Sequence, residues 1–231
     1  MGDAETRILK RRQLLELLTF LFLITPSMAF SFLAIKLGSV GFVLTAVSTI
    51  LRDVALVSLL LYFLWRNREP RSVIGWKFSR LGRELVLGAM LFVPFFYGTS
   101  LLERLFLGIG LRAPSTPLPA MGAANLAQAV LGVVLVAVVA WAEETIFRGY
   151  LILRLQALLG SWLAAAICAS FIFSIGHGYE GSAGVVTVGV MGFIFAAVYR
   201  WRGSLVAPMT MHFLQDLASI VILPYFLKGA R

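Results

Sequence analysis

AWAEETIFRGYL, residues 140–151, closes an apolar run that begins near residue 124, and it sets Glu143 beside Glu144 where the run ends. Whether that run is a soluble core helix or a membrane span decides the fold. The chain around it has 231 residues, 60% of them hydrophobic and only 13% charged. Mean hydropathy is +0.91, whereas soluble domains are roughly half apolar. A membrane span needs about 20 apolar residues, and within lipid every backbone polar group must be satisfied by the helix itself. The expectation is an all-α polytopic membrane bundle of about 7–8 transmembrane helices, with residues 1–231 forming a single membrane domain.

Apolar runs place spans near residues 14–35, 41–65, 85–107, 124–142, 161–177, 183–199 and 204–227. The basic residues test this layout. Arg7, Lys10, Arg11 and Arg12 precede the first span, six more lie between Arg66 and Arg83, and Arg148, Arg154, Arg200 and Arg202 follow. Alternating spans put these 14 of the 20 Lys and Arg on one side, the pattern of a cytoplasmic face. The N-terminus is therefore expected in the cytoplasm. The first apolar segment is too long for a signal peptide and lacks a cleavage site, so it reads as a retained span. The net charge of +9 then reports loops rather than nucleic-acid binding. Cys168 is the single cysteine, which excludes an intramolecular disulfide and a cysteine metal cluster. APSTPLPAMGAAN, residues 113–125, reads as an exposed loop. It separates scaffold spans over 1–112 from a half, 124–227, that carries both histidines and the paired glutamates.

A charge within the bilayer costs about 2.5–3.5 kcal/mol, so acids there are paired or functional. Glu144 and Arg148 are four apart and share a helical face, while Glu143 points about 100° away. The two carboxylates can do different work. His177, in FIFSIGH, and His212, in TMHFLQD, lie in or beside apolar helices, and His212 shares a face with Asp216. Two chemistries fit a cluster of Glu143, His177, His212 and Asp216. In one, Glu143 and His177 activate water and His212 stabilises an oxyanion. In the other, Glu143, His177 and His212 hold a zinc ion, although the HExxH signature of zinc proteases is absent. A structural cluster without catalysis, as in an immunity or assembly protein, is a further reading. A proton-coupled transporter would be expected to show repeat symmetry, and none is visible.

These residues resemble the CPBP family, the CAAX proteases and bacteriocin-processing enzymes also called the ABI family. Glu143, Glu144 and Arg148 match its EExxxR motif, Phe173 and His177 match FxxxH, and His212 and Asp216 match HxxxN/D, all in family order. YRWRGSLVAPMTMHFLQDL, residues 199–217, is also similar to the family's approach to its last motif. The resemblance covers about the C-terminal half. It implies an intramembrane endopeptidase of the glutamate-dependent type, like the type 2 CAAX prenyl proteases, working without a cofactor in a water-filled cavity open to the cytoplasm. Glu143 with His177 would activate water, His212 with Asp216 would serve the oxyanion, and Glu144, Arg148 and Phe173 would support them. The expected partners are a membrane-associated protein or peptide substrate and the lipid bilayer. The expected location is the cell membrane of a prokaryote.

Two features of the sequence strain against this scheme. Asp216 stands where CAAX proteases of the eukaryotic type carry Asn, and an ionised carboxylate cannot donate to an oxyanion; its expected role is to orient His212. Uniform spans would also put Glu143 at one end of span four and His177 at the far end of span five, too distant to meet. Among weaker features, adjacent Arg52 and Asp53 are not expected to face each other on a helix. Gly176, Gly178, Gly181 and Gly184 predict a turn, and Gly189 with Gly192 predicts close helix packing.

Overall fold

The computed structural model describes residues 11–26, 41–113 and 125–224, and every regular element among them is helical. Arg7, Lys10, Lys36, Lys228, Arg231, most of the 113–125 loop and the ends of the first and last expected spans lie outside the described residues. Helix α1 covers 11–26, α2 Phe42–Arg66 and α3 Leu81–Gly108. Helix α4, Leu126–Glu143, begins where the Asn125 side chain accepts a hydrogen bond from the Gln128 amide at 2.9 Å, an N-cap that satisfies one of its open donors. It does not stop at the glutamates. The backbone widens into a π-helical segment, Glu144–Leu151, and continues as α5, Ile152–Leu159. Gly160 ends it with a φ of 71°, a left-handed conformation that glycine adopts without penalty. The rest of the chain forms α6, Trp162–Ile175, α7, Gly181–Arg202, and α8, Val206–Asp216, which runs on through a second π segment, Leu217–Ile222.

Four of these helices are long and apolar enough to cross a membrane: Phe42–Arg66, Leu81–Gly108, Leu126–Leu159 and Gly178–Arg202. Along α3 the residues Val86, Met90, Val93, Tyr97, Leu101 and Leu105 recur every three or four positions and all remain exposed. A stripe of this kind would be an aggregation surface in water and is a lipid-facing surface in a membrane. The molecule is thus an integral membrane helical bundle.

The observed helices correct the expected spans in the second half of the chain. Residues 161–177 do not form a span, because α6 has 14 residues and is only about 21 Å long against a hydrocarbon core of about 30 Å. Span four does not end at residue 142, because α4 and α5 form one helix of 34 residues, about 51 Å long. Glu143 therefore sits at its middle. From Glu143 to Leu159 is about 24 Å, and from Trp162 to His177 about 23 Å. The returning α6 accordingly brings His177 back to the level of Glu143, and the Phe147 and Phe173 rings meet at 5.0 Å. The conflict in depth disappears.

Arg148 and Arg154 are not loop cations either. Both are almost wholly buried. Arg154 donates to Glu69 at 2.9 Å and lies 3.7 Å from Glu16. Glu16 also takes Arg66, Asn67 and the Tyr150 hydroxyl, so one buried carboxylate joins α1, α2 and the π segment. At the same end Arg202 donates to Glu84 at 2.7 Å and the Leu205 amide donates to the Gly75 carbonyl. Among the described residues, the segments that carry Arg66, Arg154 and Arg202 thus gather at one end of the bundle.

Candidate active site

The π segment is pinned from outside before it presents anything to the interior. A short 3-10 turn, Arg71–Ile74, presses on it so closely that a Cβ on Gly149 would lie 2.7 Å from the Ile74 carbonyl oxygen. The Trp76 indole donates to the Thr145 hydroxyl at 3.1 Å, and that hydroxyl donates to the Trp141 carbonyl at 2.7 Å. Wide turns of this type recur at functional sites. Here the widening begins at Glu144.

Glu144 is completely buried, and its Oε1 accepts from two donors, Arg148 Nη1 at 2.9 Å and His212 Nδ1 at 2.9 Å. Arg148 also donates from Nε to the Gly192 carbonyl at 3.3 Å, and its guanidinium lies 4.2 Å from the Phe173 ring centre and 5.2 Å from that of Phe195. Aromatic faces attract such a cation. Gly192 leaves room for it, since an added Cβ would come within 2.9 Å of Arg148 Nη2 and 3.1 Å of Phe173, and one of them would have to shift. A Cβ on Gly189 would stand 3.4 Å from Ser174, so both glycines lie where α7 packs closely on its neighbours.

His212 is fixed on all sides. Its ring stacks on Phe195 at 5.4 Å and meets Phe173 edge-on at 6.2 Å. Nδ1 is held by Glu144, while Nε2 faces Asp216 Oδ2 at 3.4 Å and Glu143 Oε2 at 3.7 Å. A carboxylate on Nδ1 requires a proton there. Neutral His212 would then present only a lone pair at Nε2; the imidazolium alone offers N–H groups at both nitrogens. Asp216 does lie against His212, as the four-residue spacing predicts, yet it faces Nε2. Its contact fits the expected role of orienting the ring, which it would share with Glu144 on the other nitrogen.

His177 follows the last turn of α6. Its Nδ1 lies 3.0 Å from the Phe173 carbonyl oxygen, which can only accept, so Nδ1 carries the proton and Nε2 is left as an acceptor. The ring packs on Phe173 at 4.7 Å and on Tyr179 at 5.7 Å. Phe173 thus separates the two imidazoles. No hydrogen bond or ion pair joins His177 to Glu143, and the structure brings Glu143 to His212 instead. The Glu143 side chain keeps 14% exposure, and its Oε2 has no hydrogen-bond donor. Two open grooves lie away from it, one along Phe42–Val47 beside Gln128 and one between Arg11, Glu16 and Arg66.

The first half of the chain also reaches this region. Asp53 on α2 is 2% exposed and within electrostatic range of Glu143 and His212. Contrary to expectation, Arg52 and Asp53 do pair, with Nη2 of Arg52 2.8 Å from Oδ1. The long arginine side chain bends back to the buried Asp53 carboxylate. Tyr179 and Glu180, in the turn the glycines predict, are coupled by charge to Glu143 and His177 respectively. An acid alone in mid-span was the available signal for Asp53; nothing marks Tyr179 in the sequence.

The zinc alternative needs Glu143, His177 and His212 around one ion. Acceptors at both Nδ1 atoms would leave each Nε2 able to ligate, but the Phe173 ring stands between the imidazoles and among the described residues no three His, Cys, Asp or Glu side chains are spaced to hold a metal. The residues present do not form that ligand set.

Comparison with known proteins agrees with the geometry. Residues 125–218 match the family model described as type II CAAX prenyl endopeptidase Rce1-like. A Bacillus subtilis protein, YpbD, itself described as uncharacterized, is 35% identical over 78 residues. That match spans 34% of this chain and 38% of the relative. No solved structure matches. The matched segment runs from the cap of α4 through Asp216 and so contains Glu143, Glu144, Arg148, Phe173, His177 and His212; over these residues the chain is similar to the Rce1-like type II CAAX prenyl endopeptidases.

Proposed function

We propose that the protein is an intramembrane endopeptidase that hydrolyses a peptide bond in a membrane-associated protein, with Glu143 as general base and no catalytic metal. One observation carries this reading: the carboxylates of Glu143, Glu144 and Asp216 converge on His212 in the interior of the bundle. Glu143, with an accepting Nε2 on His177, takes a proton from water while the water oxygen adds to the amide carbonyl carbon. His212 as the imidazolium donates from Nε2 to the oxyanion, and Glu144 holds the ring in that orientation. Asp216 balances the charge beside Nε2. The C–N bond then breaks, and the proton taken from water passes to the leaving amine. A CAAX-type tail, a leader peptide or a sorting tag on a membrane-bound protein would fit such a site, which we assign to a prokaryotic cell membrane with the basic end of the bundle in the cytoplasm.

The test is cleavage of an S-farnesylated CAAX peptide by the purified full chain. Glu143→Gln and His177→Ala are each expected to lower kcat/KM by about 100-fold or more. Undiminished cleavage by both variants would sink the assignment and favour a structural polar cluster. Activity is expected to survive chelators; loss on chelation and recovery with zinc would support the metal mechanism instead.

A further inference from the structure

Arg52 is a cation far from either end of its helix. It lies ten residues inside α2 from Phe42 and fourteen from Arg66, about 15 and 21 Å from the two ends. Neither distance can be spanned by an arginine stem snorkelling to an interface. Even so its side chain is 38% exposed. A guanidinium in that position does not face hydrocarbon, because the cost would be several kcal/mol. Its helix packs against α4 and the π segment, which carry Glu143 and Glu144, and its charge acts on Glu143 and on Tyr179.

Its donors are only partly used. Nε and Nη2 both go to Oδ1 of Asp53, at 2.9 and 2.8 Å, which anchors the group from a buried carboxylate. Nη1 makes no hydrogen bond or ion pair with any described residue. The fork is therefore held rigidly on one edge and left open on the other, a geometry suited to a carboxylate. Depth agrees. Glu143 lies eleven residues from Arg154, about 16 Å from the basic end, so Arg52 lies beyond it. A peptide entering from the basic end would place its scissile bond at Glu143 and its last residue deeper.

We propose that Arg52 is a specificity-determining residue whose open guanidinium edge binds the C-terminal carboxylate of the peptide substrate, anchored from behind by Asp53. This rests on the endopeptidase reading above. It makes the enzyme a reader of chain ends: an internal peptide bond with no carboxylate nearby lacks the contact, while a short tail beyond the scissile bond satisfies it.

Binding tests this separately from cleavage. The full chain carrying Glu143→Gln, in nanodiscs, is titrated against a fluorescent S-farnesylated peptide ending in a free carboxylate, and against the same peptide ending in a carboxamide. The acid is expected to bind on the order of tenfold more tightly. Adding Arg52→Gln is expected to bring the two peptides to near parity, and Arg52→Lys to keep part of the gap. Because Arg52→Gln strands the Asp53 charge, the double change Arg52→Gln with Asp53→Asn serves as a second variant with the same expected parity. Equal affinities with Arg52 intact, or a gap that survives both variants, would overturn the proposal. Cleavage of acid and amide at equal rates by the unmodified enzyme would overturn it while leaving the protease reading standing. An Arg52-dependent preference for the acid in a protein that cleaves nothing would uphold it and remove the protease reading.

Discussion

Glu144 and Glu143 are neighbours with opposite obligations. Glu144 compensates Arg148 and grips His212, both buried. Removing its charge leaves a guanidinium without a counterion in the interior, a loss of about 3–5 kcal/mol. Glu143 compensates no buried cation in this way. Glu144→Gln is therefore expected to lower the thermal unfolding midpoint of the detergent-purified protein markedly, whereas Glu143→Gln abolishes cleavage and leaves the midpoint near that of the unmodified chain. A midpoint that fell equally in both would show that the two carboxylates share one structural duty. Phe173 stands between these roles, since the same ring receives Arg148 on its face and separates the two imidazoles.

At the scale of the helices, the site depends on how closely α7 approaches the π segment. Gly192 sets that approach. Gly192→Ala places a methyl group 2.9 Å from Arg148 Nη2 and 3.1 Å from Phe173, and such overpacking costs about 1–3 kcal/mol. Gly98 on α3 is the matched control, with nothing within 4 Å of an added Cβ. Gly192→Ala is expected to reduce both the unfolding midpoint and kcat/KM, and Gly98→Ala neither. Equal behaviour of the two variants would mean that α7 is not held at this contact. Helix length matters as much as spacing: α6 is too short to cross the bilayer, and that shortness returns His177 to the level of Glu143.

For the whole molecule, charge is sorted between the ends. Arg66, Arg71, Lys77, Arg80, Arg83 and Arg202 belong to segments joined at one end through the contacts of Gly75 with Leu205 and of Glu84 with Arg202. The positive-inside tendency predicts that end in the cytoplasm, the orientation proposed above. With Cys168→Ala as background, a cysteine introduced as Arg80→Cys is expected to react with a membrane-impermeant maleimide in inside-out vesicles and not in intact cells. Labelling in intact cells would reverse the orientation, and with it the side from which a substrate enters.

The amino-acid sequence by itself determined that this is a helical membrane protein, because hydropathy and span length are local properties of a chain. It also determined the pairing of Glu144 with Arg148 and the placing of Asp216 against His212, because residues four apart on a helix must be neighbours. Where sequence reasoning failed, the missing information was not local. Nothing in the apolar pattern says that a helix runs on through two glutamates and into Arg154, since Arg154 becomes tolerable within the bundle only once Glu16 and Glu69 are brought to it. Only the tertiary structure decided that Glu144 holds His212, that Asp53 reaches the site from the half taken for scaffold, and that His177 lies level with Glu143. Each of these is a meeting of distant segments, and burial of their charges makes sense only after the meeting has occurred.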